Sequence, residues 1–112
     1  MKIAICQINS LVGGCKENTD KILHNYFSLL DLNPNIIVFP ELSITGYPPQ
    51  DLLFDNDFVK FNIECAEKIS RKSTTPIIFG FVRLGDNGDL YNSAAVCYNG
   101  SVQSIYDKTL LP

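Results

Sequence analysis

The 112-residue sequence predicts an α/β protein. Three observations carry that prediction. Apolar runs of strand length alternate with two stretches whose apolar residues recur every three or four positions. The segment Asn35–Pro40 holds an unbroken apolar run, as in a central strand covered on both faces. The last third is punctuated by Gly85-Asp86-Asn87-Gly88 and Asn99-Gly100, residues that tolerate the positive φ of tight hairpin loops. The predicted order is β-α-β-α-β-β-β, with early strands parallel and hairpins added at one side.

Lys2–Ile8 reads as a buried strand that ends at Asn9-Ser10, and Gly13-Gly14 as a turn. From about Glu17 to Leu32, Ile22, Leu23, Tyr26, Phe27, Leu29 and Leu30 form one apolar face of a helix. Asn33-Pro34 stops it, because a residue before proline is pushed out of the α region. After the strand Asn35–Pro40, the segment Glu41–Gln50 is too rich in Gly and Pro for a regular element. A second helix spans about Asp57 to Lys72, with Phe58, Phe61, Cys65 and Ile69 on one stripe. Strands follow at Ile77–Arg83, Leu90–Tyr98 and Val102–Asp107.

Hydrophobic residues make up 46% and charged residues 19%, which excludes a disordered chain. A net charge of −3 without a basic block excludes an ordinary nucleic-acid binder. The length suits one core, burying roughly two-thirds of the unfolded surface, and no second catalytic domain. No apolar run approaches the ~20 residues of a membrane helix, and the opening segment is too interrupted for a signal sequence. Cys6, Cys15, Cys65 and Cys97 lie far apart without a CxxC pair, so they read as free thiols in a reducing cytoplasm.

Glu41 directly follows the strand Asn35–Pro40, where ligands gather in α/β folds, and is a candidate base. Lys108 follows the strand Val102–Asp107 in the same way. A lysine beside a carboxylate holds it ionised and can stabilise a developing oxyanion. On pattern alone, both also read as strand-end charges facing water. His24 lies in the first helix on the polar side, without partners for a metal. The glycines lack the context of a phosphate cradle, and no serine sits in a GxSxG elbow. Cys6, Cys65 and Cys97 fall in apolar segments; Cys15 is expected to be exposed in a loop with no base aimed at it.

The run Val38-Phe39-Pro40-Glu41-Leu42-Ser43-Ile44-Thr45-Gly46-Tyr47-Pro48-Pro49-Gln50-Asp51-Leu52-Leu53 resembles the first signature of the nitrilase (carbon–nitrogen hydrolase) superfamily. Its stretch from Gly46 onward resembles, more narrowly, the glutaminase domain at the front of bacterial glutamine-dependent NAD synthetases. Leu90–Val96 and Tyr106–Pro112 resemble the family's hairpin strand and lysine motif, so the resemblance covers essentially the whole chain. It implies an αββα sandwich and a Glu-Lys-Cys triad. Glu41 would be the general base, and Lys108 would steady the tetrahedral intermediate. Glutamine would be cleaved, and its ammonia would pass to a second domain that uses ATP and Mg to convert nicotinic acid adenine dinucleotide to NAD. The complete enzyme would be a homo-oligomer.

Gly46 is expected in a conformation closed to other residues, and Pro48-Pro49 to stiffen the loop behind Glu41. Tyr47 either lines a pocket or packs on the sheet, and the packed reading is the favoured one. Asn92 either bonds into the site or stabilises a turn. The family's nucleophilic Cys lies beyond the lysine motif, and the sequence stops four residues past Lys108. Residues 1–112 are therefore expected to be the N-terminal part of a nitrilase-fold domain, incomplete at the C-terminus and inactive alone. The alternatives are a stand-alone amidase, or a non-catalytic fragment or subunit.

Overall fold

The computed structural model describes residues 1–111. The elements run β1 (Ile3–Ile5), α1 (Cys15–Leu30), β2 (Ile36–Val38), a 3-10 turn (Gln50–Phe54), α2 (Asn56–Arg71), β3 (Ile77–Leu84), β4 (Leu90–Tyr98) and β5 (Ser101–Leu111). The five strands make one sheet in sequential order, β1-β2-β3-β4-β5. β1, β2 and β3 are parallel; β3-β4 and β4-β5 are antiparallel. This is the predicted order, because each helix is long enough to return the chain for a parallel strand, and each short turn forces an antiparallel one.

Local chemistry sets the boundaries. Asp55 caps α2, its side chain accepting hydrogen bonds from the backbone N–H groups of Asp57 and Phe58. Asn33 takes a left-handed φ of 52° just after α1, ahead of Pro34. Asn99 (φ 52°) and Gly100 (φ 79°) form a two-residue loop between paired Tyr98 and Ser101.

Both helices cover one face of the sheet. There Ile22 and Tyr26 of α1 and Cys65 and Ile69 of α2 pack on Ile37, Ile77, Phe79, Phe81 and Ala95. Burying each of the larger side chains contributes about 1.5–3 kcal/mol. Tyr26, 1% exposed, donates its hydroxyl hydrogen to the Thr75 carbonyl and accepts from the Thr74 N–H.

Several expectations need correction. β1 is three residues long and half exposed, because among the described residues it is an edge strand with nothing over Ile3 and Ile5. Among the described residues β2 is covered on the helix side only: Ile37 is buried while Ile36 and Val38 are partly exposed. Cys15 is buried rather than in an exposed loop, since it opens α1 facing the core. Phe61 is 42% exposed, because the inner face of α2 runs instead through Val59, Asn62, Cys65, Ala66 and Ile69. Asn62 takes that inward place because β2 is too short to pair with the far end of β3. Its amide donates to the Val82 carbonyl (2.7 Å) and accepts from the Val82 N–H (3.0 Å), as a strand would. β5 extends to Leu111, so Lys108 lies inside the strand and not after it.

Candidate active site

Glu41 is held in place by backbone attachment along the outer edge of β3. The Phe39 N–H donates to the Ile78 carbonyl, and the Ile44 N–H to the Gly80 carbonyl. The Ser43 hydroxyl accepts from the Gly80 N–H at 3.2 Å. Residues 40–42 cross directly over Gly80. A Cβ there would overlap the Leu42 nitrogen and stand 2.8 Å from the Glu41 carbonyl carbon, so only glycine fits. Behind the loop, buried Asn18 donates to the carbonyls of Leu11 and Ile44. Gly46 has φ 77° and lies against the Val12 backbone, the conformation expected of it.

Neighbouring strands bring up the partners. The Asn92 amide on β4 donates to Glu41 Oε1 at 2.7 Å. Lys108 Nζ on β5 donates to Glu41 Oε2 at 2.5 Å. Asn92 thus bonds into the site instead of stabilising a turn. The Lys108 hydrogen bond, seconded by that of Asn92, lowers the Glu41 pKa; the same contact raises that of Lys108. At neutral pH the pair is a carboxylate beside an ammonium. Both side chains keep about half their surface in water, at 42% and 55%. The pair is therefore open to a reactant.

The pair lines a cavity of about 200 Å³ on the sheet face opposite the helices, with Phe39, Gly80, Asn92 and Tyr106. A larger cavity, about 450 Å³, lies between Phe54, Lys60 and Leu90 and touches neither Glu41 nor Lys108. The smaller one holds the acid–cation pair and is the candidate site. Tyr47 does not pack on the sheet: it is 68% exposed, on the loop that follows Glu41. Among the described residues no cysteine lines the Glu41 cavity. Burial raises the pKa of all four thiols; for Cys15, with Cys65 close by, it is pushed up to about 12. His24 is exposed, as expected, and no cluster of three metal-ligating side chains occurs among the described residues.

Gly80 carries a signal beyond hydrophobic periodicity, since a glycine inside an apolar strand is itself a sign of close backbone approach. Pro112, the last residue of the lysine motif, lies outside the described residues.

The carbon-nitrogen hydrolase family matches residues 2–112. The chain belongs to that family. As a carbon-nitrogen hydrolase it is 33% identical, over 99% of its length, to a glutamine-dependent NAD(+) synthetase of Acinetobacter baylyi. It superposes with a TM-score of 0.91 on a glutamine-dependent NAD+ synthetase of Acinetobacter baumannii, again at 33% identity, covering 99% of this chain and 21% of that one. An amidase from Nesterenkonia sp. shares the fold, with a TM-score of 0.83 and 19% identity, covering 100% of this chain and 44% of that one. The chain spans about a fifth of the length of the synthetases it matches.

Proposed function

We propose that this carbon-nitrogen hydrolase chain provides the base and the cation of a glutamine amidohydrolase site. In this reading the site supplies ammonia to a glutamine-dependent NAD synthetase. The observation that carries it is the Glu41–Lys108 contact inside a cavity, made by residues 67 apart in sequence. Identity of 33% to a synthetase, against 19% to the amidase, supports a synthetase over a stand-alone amidase.

Each Glu41 oxygen has one donor and retains lone-pair capacity for a proton. Glu41 takes the proton from a cysteine thiol as its sulfur bonds to the glutamine side-chain carbonyl carbon. The Lys108 ammonium stands beside the oxygen that becomes negative. Glu41 returns the proton to the departing nitrogen, the C–N bond breaks, and ammonia leaves. Water then cleaves the thioester to glutamate. None of the four cysteines lines the cavity at Glu41 among the described residues, so in this reading the nucleophile comes from outside them. ATP and Mg would serve the amidation of nicotinic acid adenine dinucleotide, and no step described here runs through them. The free thiols support a cytoplasmic setting.

The test is Glu41→Gln in the natural polypeptide that carries this sequence. Glutamine hydrolysis should fall by at least about 10³-fold, with ammonia-dependent NAD synthesis unchanged. Turnover of glutamine near the wild-type rate would refute the role of Glu41.

A further inference from the structure

On the helix-covered face of the sheet, directly behind the site, lies a second set of polar side chains. Arg83 on β3 grips Asp107 on β5 with two bonds, Nε to Oδ1 at 2.8 Å and Nη2 to Oδ2 at 2.7 Å. The Ser93 hydroxyl on β4 donates to Asp107 Oδ1 at 2.6 Å. The Arg83 guanidinium also lies 4.8 Å from the centre of the Tyr91 ring. This set spans three strands and ends on the residue next to Lys108.

The ladder explains why that matters. Ser93 pairs with Asp107 and Asn92 with Thr109, so Lys108 is an extra residue in a β-bulge with no rung of its own. Among the described residues β5 is an edge strand, paired with β4 alone. The path of the chain through Lys108 is therefore fixed by its flanks, and the Asp107 flank is gripped from two other strands, β3 through Arg83 and β4 through Ser93. A bidentate Arg–carboxylate pair is directional as well as attractive, which suits it to fixing a backbone position.

We propose that Arg83, Asp107 and Ser93 are positioning residues that hold the bulge so that the Lys108 ammonium stays on Glu41. This rests on the reading of Glu41 and Lys108 as base and cation. Ser93 borders the cavity, but the side-chain hydrogen bonds to Glu41 come from Asn92 and Lys108 and not from Arg83, Asp107 or Ser93, which act through the backbone of Lys108. Facing Glu41 are Lys108 and Tyr106 from β5 and Asn92 from β4, with Tyr47 of the following loop near Lys108. If the bulge slackens, Glu41 loses its first partner, and its pKa rises towards the ordinary carboxylate value.

The experiment is a carbon-13 NMR titration of the Glu41 carboxyl in wild type, Asp107→Asn, Arg83→Met and Lys108→Met, in the natural polypeptide. Asp107→Asn and Arg83→Met should each move the Glu41 midpoint upward, part of the way to the Lys108→Met value. The double variant should shift it no further than the larger single change. In the glutamine assay the same two variants should lose on the order of ten- to a hundredfold in kcat, with KM unchanged. Unchanged midpoints in folded Asp107→Asn and Arg83→Met, with a shifted Lys108→Met, would overturn the positioning role alone. An unshifted midpoint in Lys108→Met would instead overturn the underlying pair. A kcat loss without a midpoint shift would mark the set as merely structural, which also overturns the proposal. Arg83→Lys keeps the charge but not the two-bond geometry; full recovery of the midpoint there would refute the directional argument.

Discussion

Replacing Gly80 by alanine tests how the base is positioned. The added methyl points to the site face, beneath the segment that carries Glu41. It would overlap the Leu42 nitrogen and meet the Glu41 carbonyl carbon at 2.8 Å and the Pro40 oxygen at 2.9 Å. Ordinary contacts begin near 3.4 Å, so even the Pro40 oxygen must retreat by about 0.5 Å. All three atoms are backbone, and no rotamer change relieves them. Overpacking of this kind costs roughly 1–3 kcal/mol, and the absence of a flexible neighbour places Gly80→Ala at the upper end. The stiffer unfolded chain offsets about 0.4–1 kcal/mol. A net loss of about 2 kcal/mol remains, or a Tm lower by roughly 10 °C for a domain of this size. The control is Gly88→Ala. Gly88 has φ 88° and nothing within 4 Å of an added Cβ, so its cost is conformational, about 1 kcal/mol. Thermal unfolding and the Glu41 carboxyl titration should separate the two. Gly80→Ala lowers Tm more and raises the Glu41 midpoint, as the carboxylate leaves Asn92 and Lys108; Gly88→Ala leaves the midpoint alone. Equal Tm losses with an unmoved midpoint would refute the claim that Gly80 seats the loop.

Other expectations are open to direct measurement. The pKa values of Glu41 and Asp107 lie below their ordinary values in the fold, so their contribution to stability is complete only above the ordinary carboxylate range, from about pH 5 upward. It is lost as the pH falls through the folded-state values. Denaturant midpoints measured from pH 7 down to pH 2.5 should fall for wild type and fall less steeply for Glu41→Gln with Asp107→Asn; parallel curves would contradict this. Native alkylation with iodoacetamide at pH 8 should label Cys6 first. Cys15, with a pKa near 12, has about one thiolate in ten thousand there, and labelling of Cys15 as fast as Cys6 would contradict its burial.

Element order was legible because it rests on periodicity and turn chemistry, both local properties. The two helices, the three parallel strands and the Asn99-Gly100 loop all follow from residues within a few positions of one another. Phe61 shows where that logic stops: a helical stripe has two possible orientations, and the need of Val82 for backbone partners turned Asn62 inward instead. The burial of Cys15 depends on a helix start that no capping side chain marks. In the site, Glu41 stood out by its place after an apolar run and by motif resemblance; Lys108 rested on the resemblance alone, because its expected place after a strand is inside β5. Asn92 was half legible, as one of two roles. The grip of Arg83 and Ser93 on Asp107 depends on strand register and a bulge, which a sequence states only once the ladder is known.

The sheet joins two kinds of pairing, and the acid and the cation fall on opposite sides of the join. Glu41 travels with the parallel strands, whose union requires closing long crossovers. Lys108 travels with the β3-β4-β5 meander, whose tight turns pair neighbours quickly. Their contact forms only when the segment after β2 settles on the free edge of β3. By contact order it is expected to form late in assembly and to be lost early in partial opening. A probe on the Glu41–Lys108 contact therefore reports whether the two halves are docked, and would lose its signal while the helices and the hairpins still look native.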